Sequence, residues 1–150
     1  MREPAPAPAI FSDQQMQDPT PEELARYTEL QERAIMAARE GDVTLLGEMI
    51  AAGMPVNLAD EKGNSLLMLA AYNGNLATVS HLLQAGADPE KRNARGQTPL
   101  GGVAFKGFSE IAELLLEHGA DAQADQGAGH TPRQFATMFG HNGIAAMLEC

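Results

Sequence analysis

Metal binding or nucleophilic chemistry in this 150-residue chain would have to come from its four histidines and its one cysteine. Their spacing supports neither. His118, His130, His141 and Cys150 fall at unrelated phases of the chain, and no two have the separation of a zinc site. His81 shares a phase with Glu48, Leu114 and Met147 and reads as a half-exposed rim residue. Cys150 reads as a free thiol rather than a nucleophile. There is no Gly-x-Ser-x-Gly elbow and no His-Glu-x-x-His, and the glycines form no phosphate-cradling loop. No enzyme activity, catalytic residue, metal or cofactor is expected. The side chains with something to offer are aromatic and cationic. Tyr72, Phe105 and Met138 recur every 33 residues and should align as a stripe, with Asn73, Lys106 and Phe139 one residue on. Aromatic side chains and arginine are the types enriched at binding hot spots. Three of the seven aromatics fall in this small set, although an aliphatic core needs none of them.

The same 33-residue step runs through the glycines that must position that stripe. It carries Gly41 to Gly74, Gly107 and Gly140, then Gly53 to Gly86 and Gly119, and Gly63 to Gly96 and Gly129. Three series with one period predict a stack of similar units, each burying its apolar face against its neighbours. Within a unit, Ser65, Thr98 and Thr131 are placed as helix N-caps, and Pro99 and Pro132 take the first helical position. Each first helix should end at Gly74, Gly107 or Gly140. A second helix, Leu76–Ala85 or Ser109–His118, should end at Gly86 or Gly119.

Ahead of the stack, residues 1–19 form a Pro/Ala-rich run and a polar stretch, expected to be a disordered tail whose Ile10-Phe11 pair could dock. Thr20-Pro21-Glu22-Glu23 has capping-box spacing and should start a helix of about 20 residues, with Leu24, Tyr27, Leu30, Ala34, Ala37 and Ala38 along one face.

The motifs Gly-Gln-Thr-Pro-Leu (96–100), Leu-Ala-Ala-Tyr-Asn-Gly-Asn (69–75) and Leu-Leu-Leu-Glu-His-Gly-Ala-Asp (114–121) resemble those of the ankyrin-repeat family. The likeness covers residues from about 27 to 150. Tetratricopeptide repeats have a period of 34 and lack this punctuation. The resemblance implies an all-α solenoid of about four helix-turn-helix repeats, at roughly 20–59, 60–92, 93–125 and 126–150, forming a domain over 20–150. It also implies a concave binding face made of the turn tips and the ends of the first helices. The compact form is similar to small stand-alone bacterial ankyrin proteins, which implies an adaptor, inhibitor or accessory role.

Two departures from the family pattern stand out. A histidine usually follows Thr-Pro-Leu and ties adjacent loops, whereas Met68, Gly101 and Gln134 occupy that phase here. Without that network, and with Gly101-Gly102 inside a helix, the first helix of the third repeat is expected to exchange its amides fastest among the short helices, the alternative being that the two glycines permit tight helix packing. The last repeat carries Arg133, Thr137 and Glu149 where the third has Leu100, Ala104 and Leu116. Polar residues at core phases are what a terminal cap requires, and the long helix from Thr20 is expected to cap the other end. The array then reads as complete.

Charge is uneven along the chain. Lys62, Lys91, Arg92, Arg95 and Lys106 oppose only Asp88 and Glu90 over residues 62–106, a basic island in a chain of net charge −10. The overall charge argues against nucleic acid, and no apolar run suits a signal peptide or a membrane span. A lone cysteine fits a reducing compartment, with the cytoplasm as the expectation. The partner-binding set is therefore Tyr72, Asn73, Phe105, Lys106, Met138 and Phe139, with Lys62, Arg92 and Arg95 steering an acidic patch on a protein partner. A monomer is expected. The alternative is self-assembly through the tail or through Ile144 and Met147 of the last helix.

Overall fold

The computed structural model describes residues 19–127 and 129–149, so the Pro/Ala run, Ile10-Phe11 and Cys150 lie outside the described residues. Eight α-helices follow in order among them: α1 (Pro21–Glu40), α2 (Val43–Ala51), α3 (Leu66–Tyr72), α4 (Leu76–Gln84), α5 (Pro99–Lys106), α6 (Ser109–Glu117), α7 (Pro132–Met138) and α8 (Asn142–Met147). There is no strand among the described residues, only an isolated bridge between Ala59 and Ser65. Odd-numbered helices form one layer, α1 against α3, α3 against α5 and α5 against α7; even-numbered helices form the other in the same order. The chain is thus an all-α ankyrin-type solenoid.

Local chemistry accounts for each helix. Thr20 accepts from the Glu23 amide while Glu23 bonds back to the Thr20 amide, and the helix so capped runs 20 residues, as its sequence predicts. Ser65, Thr98 and Thr131 cap α3, α5 and α7 by accepting from the amides of Met68, Gly101 and Gln134, only Thr131 with a reciprocal bond from Gln134, and Pro99 and Pro132 take the first helical positions. All ten glycines of the periodic series have positive φ. α5 closes directly on left-handed Gly107, whereas α3 and α7 stop one residue earlier, with Asn73 and Phe139 as caps. The second helices end one residue short of the expected limits, because Ala85 and His118 are already non-helical caps.

The core is aliphatic, with Leu46, Leu66, Leu82, Leu100, Val103, Leu115, Ile144 and Leu148 fully buried. Met49 and Met147 pack against it as fillers. Ile144 is therefore spent inside the fold and does not offer a self-assembly surface. One buried group does not fit. Thr78 is 1% exposed, and its hydroxyl has no hydrogen-bond partner. Leu45, Ile111 and Ile144 stand at the same phase in the other repeats. Removing an orphaned buried hydroxyl at constant shape recovers its desolvation cost, so Thr78→Val is expected to raise stability by about 1 kcal/mol in urea denaturation.

The two ends differ. At the C-terminal end Arg133 and Glu149 pair at 3.2 Å and the Thr137 hydroxyl donates to the Arg133 carbonyl, so core phases have become a polar surface. At the N-terminal end, α1 leaves apolar surface open: Met36 is 50% exposed and Leu45 only half-buried. Leu24 is exposed too. α3 starts at Leu66, one period after Arg33, so nothing in α3 corresponds to the earlier turns of α1.

The absence of the loop-tying histidine does not loosen the third repeat. Gln126, buried, reaches into the space over Gly101, accepts from the Thr98 amide at 2.8 Å and donates to the Thr98 hydroxyl at 3.0 Å. A Cβ on Gly101 would lie 1.9 Å from the Gln126 Oε1. The neighbouring Gly102 leaves room for the Tyr72 ring, whose Cδ1 would be 3.2 Å from a Cβ there. Both glycines admit a side chain from an adjacent repeat, and α5 lies between α3 and α7. The expectation of fast exchange is thereby reversed. Amides of α5 should be the best protected of the short helices by hydrogen exchange, and protection weaker than in α7 would contradict this.

A candidate partner-binding surface

Tyr72 and Phe105 stand at the last turns of α3 and α5, and Phe139 caps α7, so the helix-closing geometry of each repeat delivers one ring to the same edge. The rings form a ladder. Tyr72 and Phe105 lie parallel with centroids 6.4 Å apart, and Phe139 meets Phe105 edge-on at 4.6 Å. They remain 40%, 39% and 49% exposed. Lys106 extends its ammonium to 4.9 Å from the Tyr72 ring centre, a cation–π distance. Met138 is exposed beside the ladder, and Phe139 rather than Met138 continues the ring contacts. Asn73 is tied down, its amide donating to the Leu69 carbonyl at 2.7 Å. In the first repeat Arg39 takes the aromatic phase and pairs with Asp60 at 3.6 Å.

The turn tips are equally ordered. Asp60 accepts from the amides of Lys62 and Asn64, and Asn93 from those of Arg95 and Gln97. The last turn shifts by one residue: Asp125 accepts from Gly127 and Gly129, which holds its carboxyl below the usual range. Gln126, at the phase of Asp60 and Asn93, is thereby released to cover Gly101. Adjacent turns are joined by the Ala94 amide donating to the Lys62 carbonyl and by the Asn93 amide donating to Asn64. Lys62 and Arg95 are exposed on this frame. Arg92 is engaged, donating to the carbonyls of Gly96 and Asp125 across two repeats. Glu90 accepts from the Asp121 amide, and burial holds its carboxyl above the usual range.

Junctions between inner helices repeat one more device. The residue after each helix-closing glycine reaches back over the preceding repeat. Asn75 donates to the carbonyls of Ala38 and Arg39, Phe108 packs on Gly74, and the Nε2 of His141 bonds the Phe105 carbonyl at 3.0 Å. His141 thus has a structural task. His81 lies over Gly47 of α2, and the Nδ1 of His118 approaches the Leu114 carbonyl. Among the described residues no three His, Cys, Asp or Glu side chains group as a metal site. No helix there is long and apolar enough to cross a membrane.

The model of a family described as ankyrin repeats (3 copies) matches residues 34–126 and 67–150. The chain belongs to the ankyrin-repeat family. Ankyrin repeats generally serve as non-enzymatic protein–protein interaction modules. A search among curated proteins gives no match. In family terms, the inner-helix ends and turn tips of this ankyrin-repeat protein bring Tyr72, Phe105, Lys106, Met138 and Phe139 to one surface, with Lys62 and Arg95 on the neighbouring turns. Arg92 and Asn73 are the members of the expected set whose side-chain donors are used inside the fold. Sequence reasoning missed Gly102 as the residue that seats Tyr72; the only signal was a glycine inside a helix where the other repeats carry Met36, Leu69 and Phe135.

Proposed function

We propose that this ankyrin-repeat protein is a non-enzymatic adaptor or accessory protein of the cytoplasm that binds another protein through its concave face. Tyr72, Phe105, Phe139 and Met138 bury into the partner, with Asn73 and Lys106 at their margin. Lys62 and Arg95, with Arg92 beside them, favour an acidic patch on the partner. The observation that carries this reading is the ring ladder. Three aromatic side chains in series, Tyr72 beside Phe105 and Phe105 against Phe139, are held at the helix ends and left partly open to solvent, where burial by a partner gains the area the fold leaves uncovered.

The test is affinity capture from the native host followed by direct titration of the captured protein. The Tyr72→Ala/Phe105→Ala double variant, shown folded by circular dichroism, is expected to bind about a hundredfold more weakly, as the loss of two hot-spot rings implies. Equal binding by both forms would remove the ladder from the interface. Association that slows with added salt supports the steering role of Lys62 and Arg95; rates indifferent to salt would eliminate it.

A further inference from the structure

We propose that the N-terminal end of the stack is a second interaction surface, a groove between α1 and α2 that takes a basic amphipathic helix of another protein. The groove is a shallow depression of about 280 Å³ with Met36, Ala37 and Leu45 inside it and Glu29, Glu32, Glu40 and Asp42 around it, against one cation, Arg33. Its apolar members sit at phases that later repeats cover wholly or in part, Phe135 at the Met36 phase being half-buried. Leu69 at the Met36 phase is buried, as are Thr78, Ile111 and Ile144 at the Leu45 phase. Gly102, also at the Met36 phase, faces Tyr72 and Met68 of the preceding repeat. At each described junction this surface is covered by a helix pair, α1 on α3 and α2 on α4. A helix is therefore the shape the groove fits.

The polarity of one position selects what that helix carries. Asn75 and His141 hydrogen-bond backbone carbonyls of the preceding repeat from the phase after the closing glycine. Asp42 stands at that phase in the first repeat, where its Oδ1 caps α2 by accepting from the Leu45 amide at 3.1 Å, and a carboxylate only accepts. Where two of the three later junctions have a side chain that can bond a carbonyl and the third has Phe108, this end offers a negative acceptor, flanked by Glu40 and Glu32. Lysine or arginine side chains satisfy it; the carbonyls at the end of another ankyrin repeat do not. A second copy stacked end to end is disfavoured for that reason, and its C-terminal face is already closed by the Arg133–Glu149 pair. The chain's own N-terminal segment is acidic, with Glu3, Asp13 and Asp18 against Arg2, and has proline at positions 4, 6 and 8. Its charge is not complementary to the groove.

The probe is a synthetic leucine/lysine amphipathic peptide titrated into the ¹⁵N-labelled full chain, with a leucine/glutamate peptide of the same pattern as control. Shifts are expected to concentrate between Glu29 and Leu45, and the control should cause none. Glu32→Gln/Glu40→Gln, both exposed and fold-neutral, should weaken binding about tenfold, while Tyr72→Ala/Phe105→Ala binds as wild type, which separates this surface from the concave one. Three outcomes would overturn the proposal. Shifts concentrated on the acidic C-terminal repeat, or unaffected by Glu32→Gln/Glu40→Gln, would mean diffuse electrostatics. Concentration-dependent mass abolished by Met36→Gln would assign the groove to a second copy. Movement of the Met36 resonance by Ile10→Gln/Phe11→Gln without peptide would assign it to the chain's own segment.

Discussion

Gly63→Ala is expected to lower the stability of the protein by about 3 kcal/mol. Gly63 has φ +80°, so a side chain costs about 1 kcal/mol in backbone strain alone. The larger part comes from the neighbouring turn. A Cβ on Gly63 would lie 2.8 Å from the Ala94 amide nitrogen and 3.2 Å from backbone carbons of Asn93. That amide donates to the Lys62 carbonyl at 2.9 Å, the backbone bond that joins the two turns. Backbone cannot swing aside as a side-chain tip can, so the methyl must either break this bond or part the repeats. The internal control is Gly96→Ala. Gly96 has φ +77° but its nearest neighbour, the Cα of Gly127, is 3.8 Å from the Cβ position. It should cost only the strain, about 1 kcal/mol. Urea denaturation of the two variants side by side decides the matter: equal losses would show that the approach of the turns contributes nothing.

Gly101→Ala should cost about 2 kcal/mol, although alanine is the better helix former by about 1 kcal/mol. The added methyl would collide with the Oε1 and Cδ of Gln126, at 1.9 Å and 2.3 Å. The Gln126 side chain can leave, but leaving breaks its bonds to the Thr98 amide, the Thr98 hydroxyl and the Ala124 carbonyl, and the Thr98 groups are buried. Each buried group left unpaired costs about 1–3 kcal/mol, which outweighs the helix-propensity gain. Gln126→Ala should cost a similar amount by emptying the same space. In the Gly101→Ala/Gln126→Ala double variant the methyl meets no glutamine, so the loss should fall well short of the sum of the two. A stabilising Gly101→Ala, or strict additivity in the cycle, would show that Gln126 does not lock the third and fourth repeats together.

These two glycines mark where the one-dimensional reading reached its limit. The caps at Thr20, Ser65, Thr98 and Thr131 depend on residues within a few positions of one another, and the period on recurring types along the chain. They were legible because local hydrogen bonding and allowed backbone angles are properties of short segments. The polar closing of the last repeat by Arg133, Thr137 and Glu149 was legible as well, since the period assigns each residue a phase and a polar side chain at a core phase marks a surface. The same arithmetic puts Tyr72, Phe105 and Met138 in line; that Phe139 rather than Met138 meets Phe105 is not in it.

What fills the space above a glycine does not. Gly101 read as a weak point because its own helix offers no reason for it; the reason is Gln126, 25 positions on and aimed inward only because Asp125 takes over the turn. The open groove beside Met36 and Leu45 is the same kind of fact, since periodicity marks both residues as apolar but not whether a helix covers them. By itself, then, the sequence determined the repeat, its helices, its caps and the phase of every side chain, because these are set by neighbours along the chain. Only the tertiary structure decided which rings touch, which glycine is a seat and which end is left uncovered by the described residues, because those depend on the distance between repeats.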